Sequence, residues 1–219
     1  MKPHRFYKPL LALLTVALLV GVNFAQRELT AERNRLKEMQ KKIEKMLASN
    51  ASLAALGGQI RLDMTKEGLR IQIVDEGNRP MFDSGSAVVK PYMRDLLREI
   101  GVALMDVENK ISLDGHTDRQ SYGNAARGYS NWELSADRAN ATRRELMAAG
   151  MPEEKLARVV GMGSSLPLDP QNPNAPANRR ITLLVMTKEA EERLLGTPLV
   201  PPESAAEAPP GAPAAQSAP

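Results

Sequence analysis

One stretch, Ser112 to Arg144, constrains the fold more than any other in these 219 residues. Ile111 and Leu113 alternate with polar neighbours, the period of a half-buried strand, and Gly115 stops it. Ser130 followed by Glu133 has the form of a capping box, so a helix is expected from about Asn131, with Gly150 placed to end it. An acid, Asp118, then lies just past a strand, and a base, Arg138, lies about two turns into the next helix. Such a pair suits a zwitterion. The carboxylate accepts from an ammonium, the guanidinium grips a carboxylate with two bonds, and Asn131 adds a neutral donor or acceptor. A surface salt bridge with no ligand accounts for the same spacing.

The chain around this stretch reads as alternating strands and helices. Ile60 to Met64 and Leu69 to Val74 form a β-hairpin pattern about Thr65-Lys66-Glu67-Gly68. Pro91 suits the first turn of a helix whose apolar face is Met93, Leu96, Leu97, Ile100, Leu104 and Val107. In the helix after Asn131, Ala139, Thr142, Leu146 and Ala149 are expected to face the sheet, with Arg138 off that stripe. Arg158 to Met162 and Ile181 to Met186 are further strands, separated by the Pro- and Asn-rich loop Leu166 to Pro176. Arg179 and Arg180 precede the last strand, so one of them can reach the rim of the same pocket. The fold class is α+β, with helices packed on one mixed sheet.

Before residue 59 the chain is of another kind. Met1 to Lys8 is basic, and Pro9 to Ala25 is uncharged and mostly Leu, Val and Ala. That is the plan of an export signal or anchor; an uncleaved membrane helix over residues 1–26 is expected. Residues 27–58 read as a helical linker. Leu36, Met39, Ile43, Met46, Asn50 and Leu53 follow steps of three and four, which fits a short coiled-coil seam or an amphipathic helix lying on the domain. From 196 to 219 the chain is Pro, Ala, Glu and Ser and is expected to be disordered.

A net charge of +3 gives no case for nucleic acid as a partner and does not oppose an anionic polymer. Without cysteine there is neither a disulfide, a thiol ligand nor an N-terminal lipidated Cys. Asp114, His116 and Asp118 alternate, so an extended chain would show all three on one face, as a metal site or part of a hydrolase would need. Only His4 and His116 are available, and no Gly-rich phosphate loop occurs. The expectation is a non-catalytic protein with no metal and no cofactor.

Gly115-His116-Thr117-Asp118, Asn131, Leu134-Ser135-Ala136-Asp137-Arg138-Ala139 and Asn178-Arg179-Arg180 together resemble the signature of the OmpA-like peptidoglycan-binding domain. The resemblance implies a βαβαβ layer over residues 59–195. It also implies that Asp118 and Arg138 hold the diaminopimelate of the stem peptide, with Thr117, Asn131, Leu134 and Arg180 completing the site. The run Gly128 to Asn140, Leu69 to Ile73, and Asn78-Arg79-Pro80-Met81-Phe82 are similar to one branch, the MotB-type B subunits of the flagellar stator. That branch implies a single-pass inner-membrane protein with its C-terminal domain in the periplasm. Its partners would be peptidoglycan, a second copy in a homodimer, and a stator A subunit.

Two features depart from the branch. The loop Ser121–Tyr129 is longer than the general family pattern, and Pro9–Ala25 holds no Asp or Glu to relay a proton. The expectation is therefore a truncated or rearranged relative, of the lateral-flagellar kind, that binds cell wall without conducting protons. A general OmpA-family anchor unrelated to motility, or a metal-dependent hydrolase, are the alternatives.

Overall fold

The computed structural model describes residues 7–76, 79–121 and 128–196, with side chains described for all of these except 7–22 and 25. The chain opens with a long helix, α1 (Tyr7–Ser49), and a one-turn helix, α2 (Ala51–Ala54). A β-hairpin follows, β1 (Ile60–Met64) and β2 (Gly68–Val74). Then come α3 (Pro91–Leu104), β3 (Ile111–His116), α4 (Asn131–Ala148), β4 (Leu156–Gly161), β5 (Arg180–Met186) and α5 (Lys188–Leu195). The strands make one mixed sheet in the order β1-β2-β5-β3-β4, in which only β3 and β4 run parallel.

Strand register puts Leu69, Ile71 and Ile73 of β2 beside Val185, Leu183 and Ile181 of β5, and these beside Ile111, Leu113 and Gly115 of β3. This apolar face is the one the helices cover. Met93, Leu96, Leu97, Ile100 and Leu104 of α3 join it in one core, as the periodicity of that helix requires. Pro91 sits in the first turn of α3, where its missing N–H has no bond to lose. The other face of the sheet carries Arg70, Gln72, Asp114, His116, Arg180 and Thr182, the alternate positions of the same strands.

Helix α1 lies on this domain. Leu36, Met39, Ile43 and Leu47 are buried in the common core, so the apolar seam of 36–53 is already occupied by the chain's own sheet and α3. Of the two readings of that seam, the amphipathic helix on the domain is the one observed, and the seam is not an open surface for a second copy. Asn50 is not a seam position. It caps α2, its side chain accepting from the Ser52 amide at 3.0 Å, where α1 has ended. Buried Glu32 fixes α1 further, accepting from Asn109 Nδ2 at 3.0 Å and from the Lys188 amide in the first turn of α5 at 2.9 Å. A carboxylate is well placed there, at the positive end of a helix.

Helix α5 has no counterpart in the sequence expectations. Its marks are Thr187 as N-cap, accepting from the Ala190 amide, and Glu189 and Glu191 in the first turn. Among the described residues, no helix is long and apolar enough to cross a membrane. The membrane-anchor reading falls mainly on residues 1–22 and the disordered-tail reading on 197–219. Residues 1–6 and 197–219, and the side chains of 7–22, lie outside the described residues.

Candidate functional site

Helix α4 is brought very close to the sheet. Its cap forms as the sequence predicts, with the Ser130 amide donating to Glu133 Oε2 at 2.7 Å and the Ser130 hydroxyl accepting from the Trp132 amide. It ends at Ala148, and Gly150 just beyond has a φ of +96° that suits glycine. Gly115 of β3 and Gly161 of β4 have no side chain to hold the helix away. A Cβ on Gly115 would lie 2.2 Å from the Ser135 carbonyl oxygen, and one on Gly161 would lie 2.6 Å from the Ala136 amide nitrogen. The Ser135 hydroxyl then accepts from the Gly163 amide at 2.8 Å, pinning α4 to the loop beyond β4.

Strand β3 ends at His116, and the chain turns there. The Thr117 amide donates to the Gly163 carbonyl and the Arg119 amide to the Pro173 carbonyl. Asp118 therefore does not share a face with Asp114 and His116, and the alternating acid–His–acid reading fails because the strand is over before its third member. Among the described residues no group of three His, Cys, Asp or Glu is arranged to hold a metal ion.

Asp118 is fully buried, and one side-chain oxygen accepts from Arg179 Nη1 at 2.7 Å while the other accepts from the Gln120 amide. Arg179 spans two acids, since its Nε also donates to Asp75 at 2.7 Å. Its side chain is 19% exposed, against 0% for Asp118 and 5% for Asp75. Burial pushes the Asp75 carboxyl up, opposed by the hydrogen bond from Arg179, by the Met81 amide and by the charges of Arg179 and Arg138.

Arg138, expected off the sheet-facing stripe, is buried at 4% exposure. Its guanidinium lies 5.1 Å from the centre of the Phe82 ring, and its Nε donates to the Ser86 carbonyl at 2.9 Å. The 82–86 loop thus covers Arg138. Asp118, Arg179, Asp75 and Arg138 form one charged corner built from four segments distant in sequence.

The remaining expected residues divide. Asn131 is at the corner, its Nδ2 donating to the Asp118 and Gln120 carbonyls at 3.2 and 3.1 Å. Thr117 is adjacent and buried. Leu134 is fully buried at the base of α4 and offers no polar group. Arg180 is a correction. It faces the opposite side of the sheet, where it donates to the Leu166 and Asn178 carbonyls, because neighbours on a strand alternate. Arg179 takes the place at Asp118. Asp75 and Phe82 were not anticipated; the pairing of Arg179 with a second acid leaves no local signal in sequence. Of the lengthened loop Ser121–Tyr129, residues 122–127 lie outside the described residues. Tyr129 after them donates to Asp137 at 2.7 Å, and burial with that contact pushes its phenol up to about 12.

His116 lies across the sheet from this corner, buried, beside Arg180 in register. Burial and then the Arg180 charge push its imidazole down from 6.5 to about 3. The unfolded chain takes up a proton near 6.5 and the folded chain does not until about 3, so this group withdraws stability as pH falls through that window. His116→Gln is expected to lose less stability than the parent between pH 7 and pH 4, measured by urea unfolding. Parallel pH profiles would show that His116 is not held neutral.

Comparison with known proteins gives the same frame. Residues 81–180 match the OmpA family. Motility protein B of Escherichia coli K12 is 48% identical over 173 residues, which is 79% of this chain and 56% of that protein. The chain thus spans little more than half the length of that relative. A truncated LafU of the same strain, named as a flagellar export/assembly protein, is 41% identical over 64% of this chain and 66% of its own length. Among solved structures, a MotB-like protein from Desulfovibrio vulgaris superposes with a TM-score of 0.62 at 22% identity, over 75% of this chain and 99% of that one. That likeness shows a shared fold.

Proposed function

We propose, from the premise that this chain is a MotB-like protein with an OmpA-family domain, that it is a non-catalytic anchor for diaminopimelate-type peptidoglycan. The observation that carries the reading is the charged corner: a buried Asp118 and a buried Arg138 supplied by the two elements that flank one loop. A diaminopimelate side-chain terminus carries an ammonium and a carboxylate on one carbon. The ammonium is read by Asp118 and the carboxylate by Arg138, each as a charge-assisted hydrogen bond in a site shielded from water. Arg179 orients Asp118 and sets the local charge balance, and Asn131 holds the backbone beneath it.

The wider assignments rest on the family. They are an inner-membrane protein with a periplasmic domain, a homodimer and a stator A-subunit partner. Because the 36–53 seam is buried in the domain's own core, dimerisation would use another surface. Pro9–Ala25 contains no carboxylate, so that run offers no proton relay. Expression in a strain lacking its stator B subunit would then leave motility unrestored.

Asp118→Ala and Arg138→Ala are each expected to weaken retention on sacculi about tenfold or more, because each leaves a ligand charge unmatched. Free diaminopimelate is expected to compete with the sacculi. Undiminished retention by both variants, with the fold intact by circular dichroism, would remove the pair from the site.

A further inference from the structure

We propose that β1, a free edge of the sheet, is where a second copy of this chain pairs, antiparallel and in a register centred on Leu62. The inference rests on the homodimer reading above.

An unpaired strand edge is a template for another strand. The strand order leaves two such edges, β1 and β4. On β1 the direction of the backbone groups follows from the hairpin. The Thr65 amide donates to the Gly68 carbonyl at 2.8 Å, and bonding alternates along an antiparallel pair. Arg61 and Asp63 therefore bond to β2, while Leu62 and Met64 turn their amides and carbonyls away from it. Ile60 also turns its carbonyl outward; its amide is taken by the Gly57 carbonyl.

The side chains at this edge complement themselves, as a two-fold interface requires. Ile60-Arg61-Leu62-Asp63-Met64, set against its own reverse about Leu62, brings Arg61 opposite the partner's Asp63 and Asp63 opposite the partner's Arg61. Leu62 meets the partner's Leu62, and Ile60 meets the partner's Met64. Arg61 and Asp63 are both exposed, and within its own hairpin Arg61 stands opposite the neutral Gln72. Unlike charges directly opposed across two strands stabilise the pairing, and side chains come closest at pairs without mutual backbone bonds, which these would be. The other edge has no such complement. Arg158 is the one charged residue of β4, so no pairing of β4 with itself supplies an acid.

Apolar contact points the same way. Ile60 and Leu62 stand opposite Ile73 and Ile71, hence on the face that the helices cover, yet both are only half-buried. A cleft of about 360 Å³ remains beside them, lined also by Leu47, Ala48 and Ala54, with Glu44 as its one charged residue. The partner's Leu62 and Met64 would project into this cleft from the adjoining strand, and each Met64 amide would meet the partner's Ile60 carbonyl.

The chain has no cysteine, so introduced ones report on this contact alone. Mixed Arg61→Cys and Asp63→Cys chains are expected to cross-link on oxidation much faster than either alone, because opposed residues at such a pair lie about 4.5 Å apart at Cα, within disulfide reach. By sedimentation of the full chain, Arg61→Asp is expected to raise the dimer dissociation constant about tenfold, and the swap Arg61→Asp with Asp63→Arg to restore most of it. Leu62→Pro removes an outward amide that β2 does not use, so it is expected to abolish the dimer in a chain that still folds by circular dichroism. A dimer that survives Leu62→Pro and forms no mixed cross-link would overturn the β1 edge and leave the homodimer reading standing. A monomeric parent chain would overturn both.

Discussion

Arg179→Met is expected to destabilise the domain by about 3–5 kcal/mol, the cost of leaving buried charges without their partner. The reason is the sharing of one guanidinium between two acids. Asp75 and Asp118 are both buried, and Arg179 bonds each at 2.7 Å. Methionine replaces the stem of the side chain and none of its charge. Asp75, which burial already pushes up, then loses the hydrogen bond and charge that oppose that rise, in a poorly hydrated corner. The sign with pH follows. An acid whose folded value is raised favours the folded state when protonated, so the variant should regain stability as pH falls toward the carboxylate range. Adding Asp75→Asn to Arg179→Met should return part of the loss, because one buried charge is removed. Urea unfolding at pH 7 and pH 4.5 tests all of this. A loss below about 1 kcal/mol, the scale of an exposed pair, would mean that water screens the corner after all.

Gly115→Val is expected to do comparable damage by a different route. The added Cβ would sit 2.2 Å from the Ser135 carbonyl oxygen, on the backbone of α4, where no rotamer change can relieve it. The helix must move outward. Overpacking of this kind costs about 1–3 kcal/mol or more. Displacement of α4 also carries Asn131 and Arg138 away from Asp118, so retention on sacculi should fall even in molecules that remain folded. Gly57→Ala is the control, since nothing lies within 4 Å of a Cβ there, and it should change stability by less than about 0.5 kcal/mol. Equal stabilities for the two variants would show that α4 is not seated on β3 as described.

The two substitutions separate what is local from what is not. The elements themselves were legible along the chain. A capping box at Ser130 and Glu133, a first-turn proline at Pro91, and a glycine with positive φ at Gly150 each act through bonds to near neighbours. The alternation of Leu69, Ile71 and Ile73 likewise states which face of a strand must be buried. Asp118, Arg138, Thr117 and Asn131 could be named as candidates for the same reason, because each lies in a short motif.

The assignment of partners was not local. The periodicity of Leu36, Met39, Ile43 and Leu47 shows that one side of α1 seeks apolar contact, and a second copy or the chain's own sheet would satisfy it equally. Only the folded domain, with the faces of β2 and α3 uncovered without it, decides for the latter. Arg179 and Arg180 are one residue apart and chemically identical, so composition cannot choose between them. The direction of β5 in the sheet turns one toward Asp118 and Asp75 and the other toward the Leu166 carbonyl. The closeness of α4 to the sheet belongs to the same class: in sequence Gly115 reads as a strand end and Gly161 falls inside the strand Arg158 to Met162, and only when β3 and β4 lie side by side do they become the floor on which Ser135 and Ala136 rest. Local hydrogen bonds and periodicity are properties of neighbouring residues and are written in the chain. The choice among equivalent distant partners depends on strand order and register, and tertiary packing alone makes it.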